Sequence, residues 1–111
     1  MNVVTDTSMV YEVERRVQHV VRPGFRITEM QISRTQEVPW HYHNHVQDTL
    51  YVVSGAIRIE LRDPIHEVRL TPGQIFAIAA KRPHRVTNIG DESANFIVLQ
   101  GNGQFDFVPV A

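Results

Sequence analysis

Apolar and polar residues alternate along this chain in short runs that end at turn-forming residues. In the segment 56–61, Ile57, Ile59 and Leu61 alternate with Arg58 and Glu60. A period of two puts the three apolar side chains on one face of an extended strand. Val68 and Leu70 repeat the pattern against Glu67 and Arg69, and Asp63-Pro64 between the runs reads as a turn joining two antiparallel neighbours. Further runs rich in valine, isoleucine, threonine and aromatics predict strands over 47–53, 74–80, 84–88 and 95–100.

The segment 9–21 fits two periods. Val10, Val13, Val17, Val20 and Val21 follow a helical spacing, while Tyr11, Val13, Val17 and Val21 fit an alternating face. Its many β-branched valines favour a strand. Pro23-Gly24, Pro39, Ser54-Gly55, Pro72-Gly73, Pro83 and Gly101-Asn102-Gly103 punctuate the chain every ten or so residues. Short strands at regular spacing predict an all-β sandwich or barrel, with 1–111 as one domain.

Composition narrows the chemistry. The chain has 111 residues, 42% of them apolar and 21% charged, as in an ordinary globular protein. A net charge of −1 leaves no basic footprint, so no nucleic-acid partner is expected. No run approaches the ~20 apolar residues of a membrane span, and residues 1–10 carry no basic region followed by an apolar stretch. The expectation is a soluble, cytoplasmic domain without a membrane partner. With no cysteine, disulfides, thiolate metal sites and a cysteine nucleophile are excluded. A metal ion would be held by histidine and carboxylate, which suits iron, manganese, nickel or zinc.

Four of the six histidines deserve comparison: His41, His43 and His45 fall within five residues, and His84 stands alone later. In a strand, His41 and His43 share a face and can reach one ion at the ~2.0–2.1 Å nitrogen–metal distance. Residues 44–47 read as the turn into a return strand, where Asp48, Leu50 and Val52 share a face. His84 would close the set from a distant strand. Taken alone, a His-x-His pair is more often a solvated strand face than a ligand pair. His45 is either a solvated turn residue or a proton shuttle at the site entrance. His19 and His66 read as surface residues. Trp40 and Tyr42 point away from His41 and His43 by alternation, and Leu50, Val52 and Phe76 read as core positions that can also line a cavity.

The spacing around these residues resembles the cupin superfamily. Its first motif is G-x5-H-x-H, three or four residues, then E-x6-G, and His41-Tyr42-His43, Asp48 and Gly55 match it. Its second motif is G-x5-P-x-G-x2-H-x3-N, and Gly73, His84 and Asn88 fall at the matching positions. Three positions depart from the pattern. Thr35 replaces the first glycine, Ala79 and Lys81 replace the second motif's proline and glycine, and Asp48 stands where the family has glutamate. The last departure leaves Asp48 three options: a direct ligand, a ligand through water, or a residue that orients a ligand.

The resemblance implies a double-stranded β-helix, or jelly-roll, with residues 1–35 as covering strands. It also implies one divalent metal ion per chain, held by His41, His43, Asp48 and His84. Such a site leaves coordination positions open for a small-molecule ligand or substrate. The family offers oxygenases, decarboxylases, lyases and isomerases, as well as ligand-binding and sensor barrels that do not turn over. The enzyme expected is an oxygenase or metal-assisted lyase acting on a small oxygen-rich or aromatic molecule, with Asp48 and His45 as catalytic candidates. A barrel this small is expected to dimerise, with the N-terminal valine-rich run and the tail 105–110 as interface candidates.

Overall fold

A computed structural model describes residues 6–111. Ten strands follow a short 3-10 turn at Thr7–Met9, whose first turn is capped by the Asp6 carboxylate accepting from the Ser8 backbone N–H at 3.0 Å. They are β1 (Arg15–Arg22), β2 (Phe25–Ile32), β3 (Glu37–Tyr42), β4 (Gln47–Ser54), β5 (Ile57–Leu61), β6 (His66–Leu70), β7 (Ile75–Ile78), β8 (His84–Asn88), β9 (Ala94–Gly101) and β10 (Val108–Pro109). They form two five-stranded antiparallel sheets, ordered β1-β2-β9-β4-β7 and β10-β3-β8-β5-β6. Interleaving of distant strands in both sheets makes this the expected double-stranded β-helix.

The alternating runs behave as their pattern requires. On β5, Ile57, Ile59 and Leu61 are buried, while Arg58 and Glu60 face outward. The Asp63-Pro64 turn joins β5 to β6 in the pairing Ile59↔Val68. Segment 9–21 is shorter as a strand than its valines suggest. Pairing with β2 begins at Arg15, because the chain first makes the 3-10 turn and then crosses the mouth of the barrel. There the Tyr11 ring stacks on Phe107, centroids 5.7 Å apart.

The core lies between the sheets and is graded from end to end. Ile32, Val52, Ile57, Ala94 and Phe96 close one end at no measurable exposure. Burying a side chain the size of Val52, Ile32, Ile57 or Phe96 contributes about 1.5–3 kcal/mol. The opposite end holds His41, His43, Asp48, His84 and Gln100, all buried and all polar.

The two outer faces differ in character. On the second sheet, Arg58, Glu60, Glu67, Arg69 and Arg85 form a lattice of ion pairs, the shortest between Arg85 and Glu60 at 2.7 Å. On the first sheet, two outward rows run across five strands: Val20, Ile27, Leu99, Thr49, Ala77, and Val17, Glu29, Ile97, Tyr51, Ile75. Tyr51 is 39% exposed and Ile75 58%. Glu29, the one charge among these ten, is paired with Arg15 and His19.

Segment 105–110, expected at a subunit interface, is taken up within its own chain. Val108–Pro109 pairs with His41 and Tyr42 on β3, and Phe107 enters the core. Among the described residues, no helix is long and apolar enough to cross a membrane.

Candidate metal centre

The register of the two sheets assembles the polar end of the barrel. His41 lies directly opposite His84 in the β3–β8 pair. A bulge in β3 between Val38 and His41 makes this possible. Val38 and His41 are three positions apart and would face opposite ways in a regular strand, yet both are buried. Pro39, which has no N–H to give a ladder, sits in the bulge. His43 lies one residue beyond the end of β3. Its backbone carbonyl accepts from the Lys81 N–H at 2.6 Å, tying the two motif segments together. Lys81 occupies the second motif's glycine position and takes a left-handed φ of 68°, the conformation a glycine would adopt freely.

Each histidine is held by the nitrogen that points away from the centre. Nδ1 of His41 donates to the Pro39 carbonyl at 2.7 Å, and Nδ1 of His84 to the Arg82 carbonyl at 2.9 Å. Nδ1 of His43 donates to the Asp106 carbonyl. A carbonyl oxygen can only accept, so each Nδ1 carries a proton, and in a neutral ring each Nε2 is the inward-facing lone pair. Asp48 faces them from β4. Its Oδ2 lies 3.0 Å from His43 Nε2 and 3.2 Å from His84 Nε2. One ligand atom from each of the four residues lies within 4.8 Å of all the others.

Three inward imidazole nitrogens and a carboxylate converging on one point call for a cation among them, either a proton on His43 or a metal ion. That is the fit test for a divalent ion, and this donor set passes it. Donors held ~2.0–2.1 Å from one ion stand roughly 3 Å apart, the separation Asp48 already keeps from two histidines. Burial pushes the His41 pKa well down, and the neighbouring His84 and His43 push it further, which keeps this ring neutral. For His43, burial also opposes charge, but the hydrogen bond and charge of Asp48 outweigh it and raise the pKa. Burial would raise the Asp48 pKa, yet hydrogen bonds from His43 and His84 hold it well below the usual carboxylate range.

Two residues of the site were not anticipated from sequence. Gln100 on β9 donates to Asp48 Oδ1 at 2.9 Å, so both carboxylate oxygens are engaged. Asp106 accepts from the Asn44 backbone N–H at 2.9 Å and from the Asn44 amide at 2.6 Å, fixing the turn after His43. No motif marks either residue, since their contacts span 52 and 62 positions and depend on register.

Of the two catalytic candidates, neither stands as a free base. Asp48 is held ionised by its neighbours, which suits a ligand or an orienting residue better than a proton carrier. His45 is exposed on the turn and does not line the cavity, because the chain leaves the extended path at Asn44. His19 and His66 are exposed as expected. Trp40 turns away from the centre and lies under the Arg62 guanidinium at 3.9 Å.

The centre opens into a cavity of about 550 Å³, within the range of small-molecule sites. Its middle is apolar, with Met30, Leu50, Val86, Phe96 and Val98. Phe107 stacks on His41 at 4.2 Å between ring centroids and covers one face of that ring.

Comparison with known proteins agrees with this architecture. The model of the cupin domain matches residues 28–100, and the chain belongs to that family. Protein SchB of Streptomyces halstedii is 36% identical over 82 residues, covering 74% of this chain and 50% of that protein. Polyketide synthase CurC of Streptomyces cyaneus is 31% identical over 78 residues, covering 70% of this chain and 42% of that protein. The chain thus spans half or less of the length of these curated relatives. Among solved structures, an uncharacterised protein with a double-stranded β-helix domain from Klebsiella pneumoniae superposes with a TM-score of 0.73. It is 23% identical, and the match covers 87% of this chain and 80% of that one.

Proposed function

We propose that this cupin holds one divalent metal ion on His41, His43, Asp48 and His84 and uses it to transform a small oxygen-rich or aromatic molecule. The observation that carries the reading is the set of three outward Nδ1–H···O=C bonds, which aim three Nε2 atoms at one carboxylate. A bound divalent ion supplies Lewis acidity toward oxygen atoms of the ligand, and redox chemistry where it is iron or manganese. The chain's own residues do the rest. Asp106, Pro39 and Arg82 orient the rings, Gln100 orients Asp48, and the apolar cavity excludes water around the ligand. Likeness to a polyketide synthase component supports an oxygenated aromatic or polyketide-derived substrate.

The test is oxygen uptake by iron-reconstituted protein offered catechols and 1,3-diketones. The reading expects metal-dependent consumption that His84→Ala abolishes. Binding of these compounds without any turnover would instead favour a ligand-binding or sensor barrel. One observation keeps that second reading alive: the only cavity-lining carboxylates among the described residues are Asp48, fully engaged, and Asp6, at the mouth.

We further infer that a second copy of this chain covers the outer face of the first sheet. Five strands ~4.8 Å apart, read over about 20 Å of their length, give a face of roughly 500 Å² in projection. Its accessible area is larger and approaches the ~800 Å² per partner of a specific interface.

A further inference from the structure

We infer that the cavity recognises an anionic group at the end away from the four ligands, through the guanidinium of Arg16, and so takes a carboxylic acid or a similarly charged ligand. The metal reading bears only on the other end of that ligand.

Arg16 stands on β1, paired with Met30 on β2, and points inward to line the cavity. Its Nη2 is buried and has no hydrogen-bond partner among the described residues. A buried guanidinium N–H without an acceptor is costly, so native structures rarely leave one. The rest of the group is positioned rather than loose, since its carbon lies 5.0 Å from the centre of the Tyr11 ring. Tyr11 is anchored in turn by stacking on Phe107 and by a contact from its hydroxyl to Met30 Sδ at 3.8 Å.

The charges around Arg16 leave room for an anion. Asp6 is the acid at this mouth; it feels Arg16 and Arg26 through space, but its carboxylate caps the Ser8 N–H and forms no ion pair among the described residues. Arg26, a second cation on the same wall, lies over the Phe105 ring at 4.0 Å. Between mouth and metal ligands the lining is apolar, from Met30, Phe96, Val98 and Leu50. The matching ligand has an apolar or aromatic body, a charged group toward Arg16, and oxygen donors toward the ion that the proposed function places on His41, His43, Asp48 and His84. A guanidinium fork recognises a carboxylate with geometric selectivity as well as charge.

The experiment compares 3-phenylpropanoate with its methyl ester by calorimetry on metal-free protein, where the metal plays no part. Wild type is expected to prefer the acid by about tenfold or more, the size of a charge-assisted hydrogen bond. Arg16→Gln is expected to weaken the acid until that preference is gone, and Arg16→Lys to retain part of it. Equal affinity for acid and ester in wild type, or a preference that survives in Arg16→Gln, overturns the proposal. Zinc-loaded protein is then titrated with 3-(3,4-dihydroxyphenyl)propanoate. If zinc fails to tighten that compound while Arg16→Gln still weakens the simple acid, the metal reading fails and the Arg16 site stands.

Discussion

His43 and Asp48 face each other across 3.0 Å, with the far nitrogen of the imidazole already donating to the Asp106 carbonyl. The gap between them is therefore closed by a cation, either a second proton on His43 or a metal ion. The raised pKa of His43 expresses the same demand in the metal-free protein. Metal uptake must displace that proton, so affinity should rise with pH through the histidine range.

Gln100 ties Asp48 from the outside and should govern affinity without touching the ion. Gln100→Leu keeps the volume and removes the 2.9 Å hydrogen bond. Metal affinity is expected to fall about 10–100-fold, the usual cost of losing such support. Competition with a chromophoric chelator measures it, and unchanged affinity would remove Gln100 from the site.

Glu29 makes an acid-sensitive contribution to stability that is independent of the centre. Hydrogen bonds from Asn95, His19 and Arg15 draw its pKa from 4.5 down to about 2. A depressed carboxyl stabilises the fold above its unfolded pKa and loses that contribution as pH falls toward 2. Urea unfolding should show Glu29→Gln less stable than wild type at pH 6, with the difference shrinking as pH falls toward 2. A constant difference across that window would contradict the assignment.

Gly55 ends β4 with a φ of 78°, and a Cβ there would meet the Ala94 Cα at 2.8 Å and the Ser93 carbonyl at 2.9 Å. Backbone atoms cannot move aside as a flexible side chain would. Gly55→Ala should cost about 1–3 kcal/mol by thermal or urea unfolding. A neutral result would mean that the β4–β9 edge is looser than its register indicates.

If the outer face of the first sheet meets a second copy, charge placed on it should separate the pair. Light scattering should give a dimer for wild type and a folded monomer for Tyr51→Lys with Ile75→Glu. A wild-type monomer at micromolar concentration would refute the interface.

Much of this arrangement could be read in the sequence, and the remainder has identifiable physical reasons. Strict alternation marked β5 and β6, because each has one buried and one solvated face. Motif spacing brought His41, His43, Asp48 and His84 together correctly. The bulge at Pro39 lay outside simple alternation, yet it decides which way His41 faces. Val10 and Val13 looked like strand residues because valine composition does not reveal a chain crossing a barrel mouth. Gln100 and Arg16 were invisible because their roles come from cross-strand register, which no local pattern encodes.

The central claim is that these four residues bind one ion. It is tested most directly by elemental analysis of protein purified anaerobically, alongside His41→Ala and His84→Ala. The account predicts about one divalent transition ion per wild-type chain, its loss in both variants, and a rise in melting temperature when metal is restored to wild type. Folded wild-type protein with no stoichiometric metal, and no thermal gain from added iron, manganese, nickel or zinc, would contradict it.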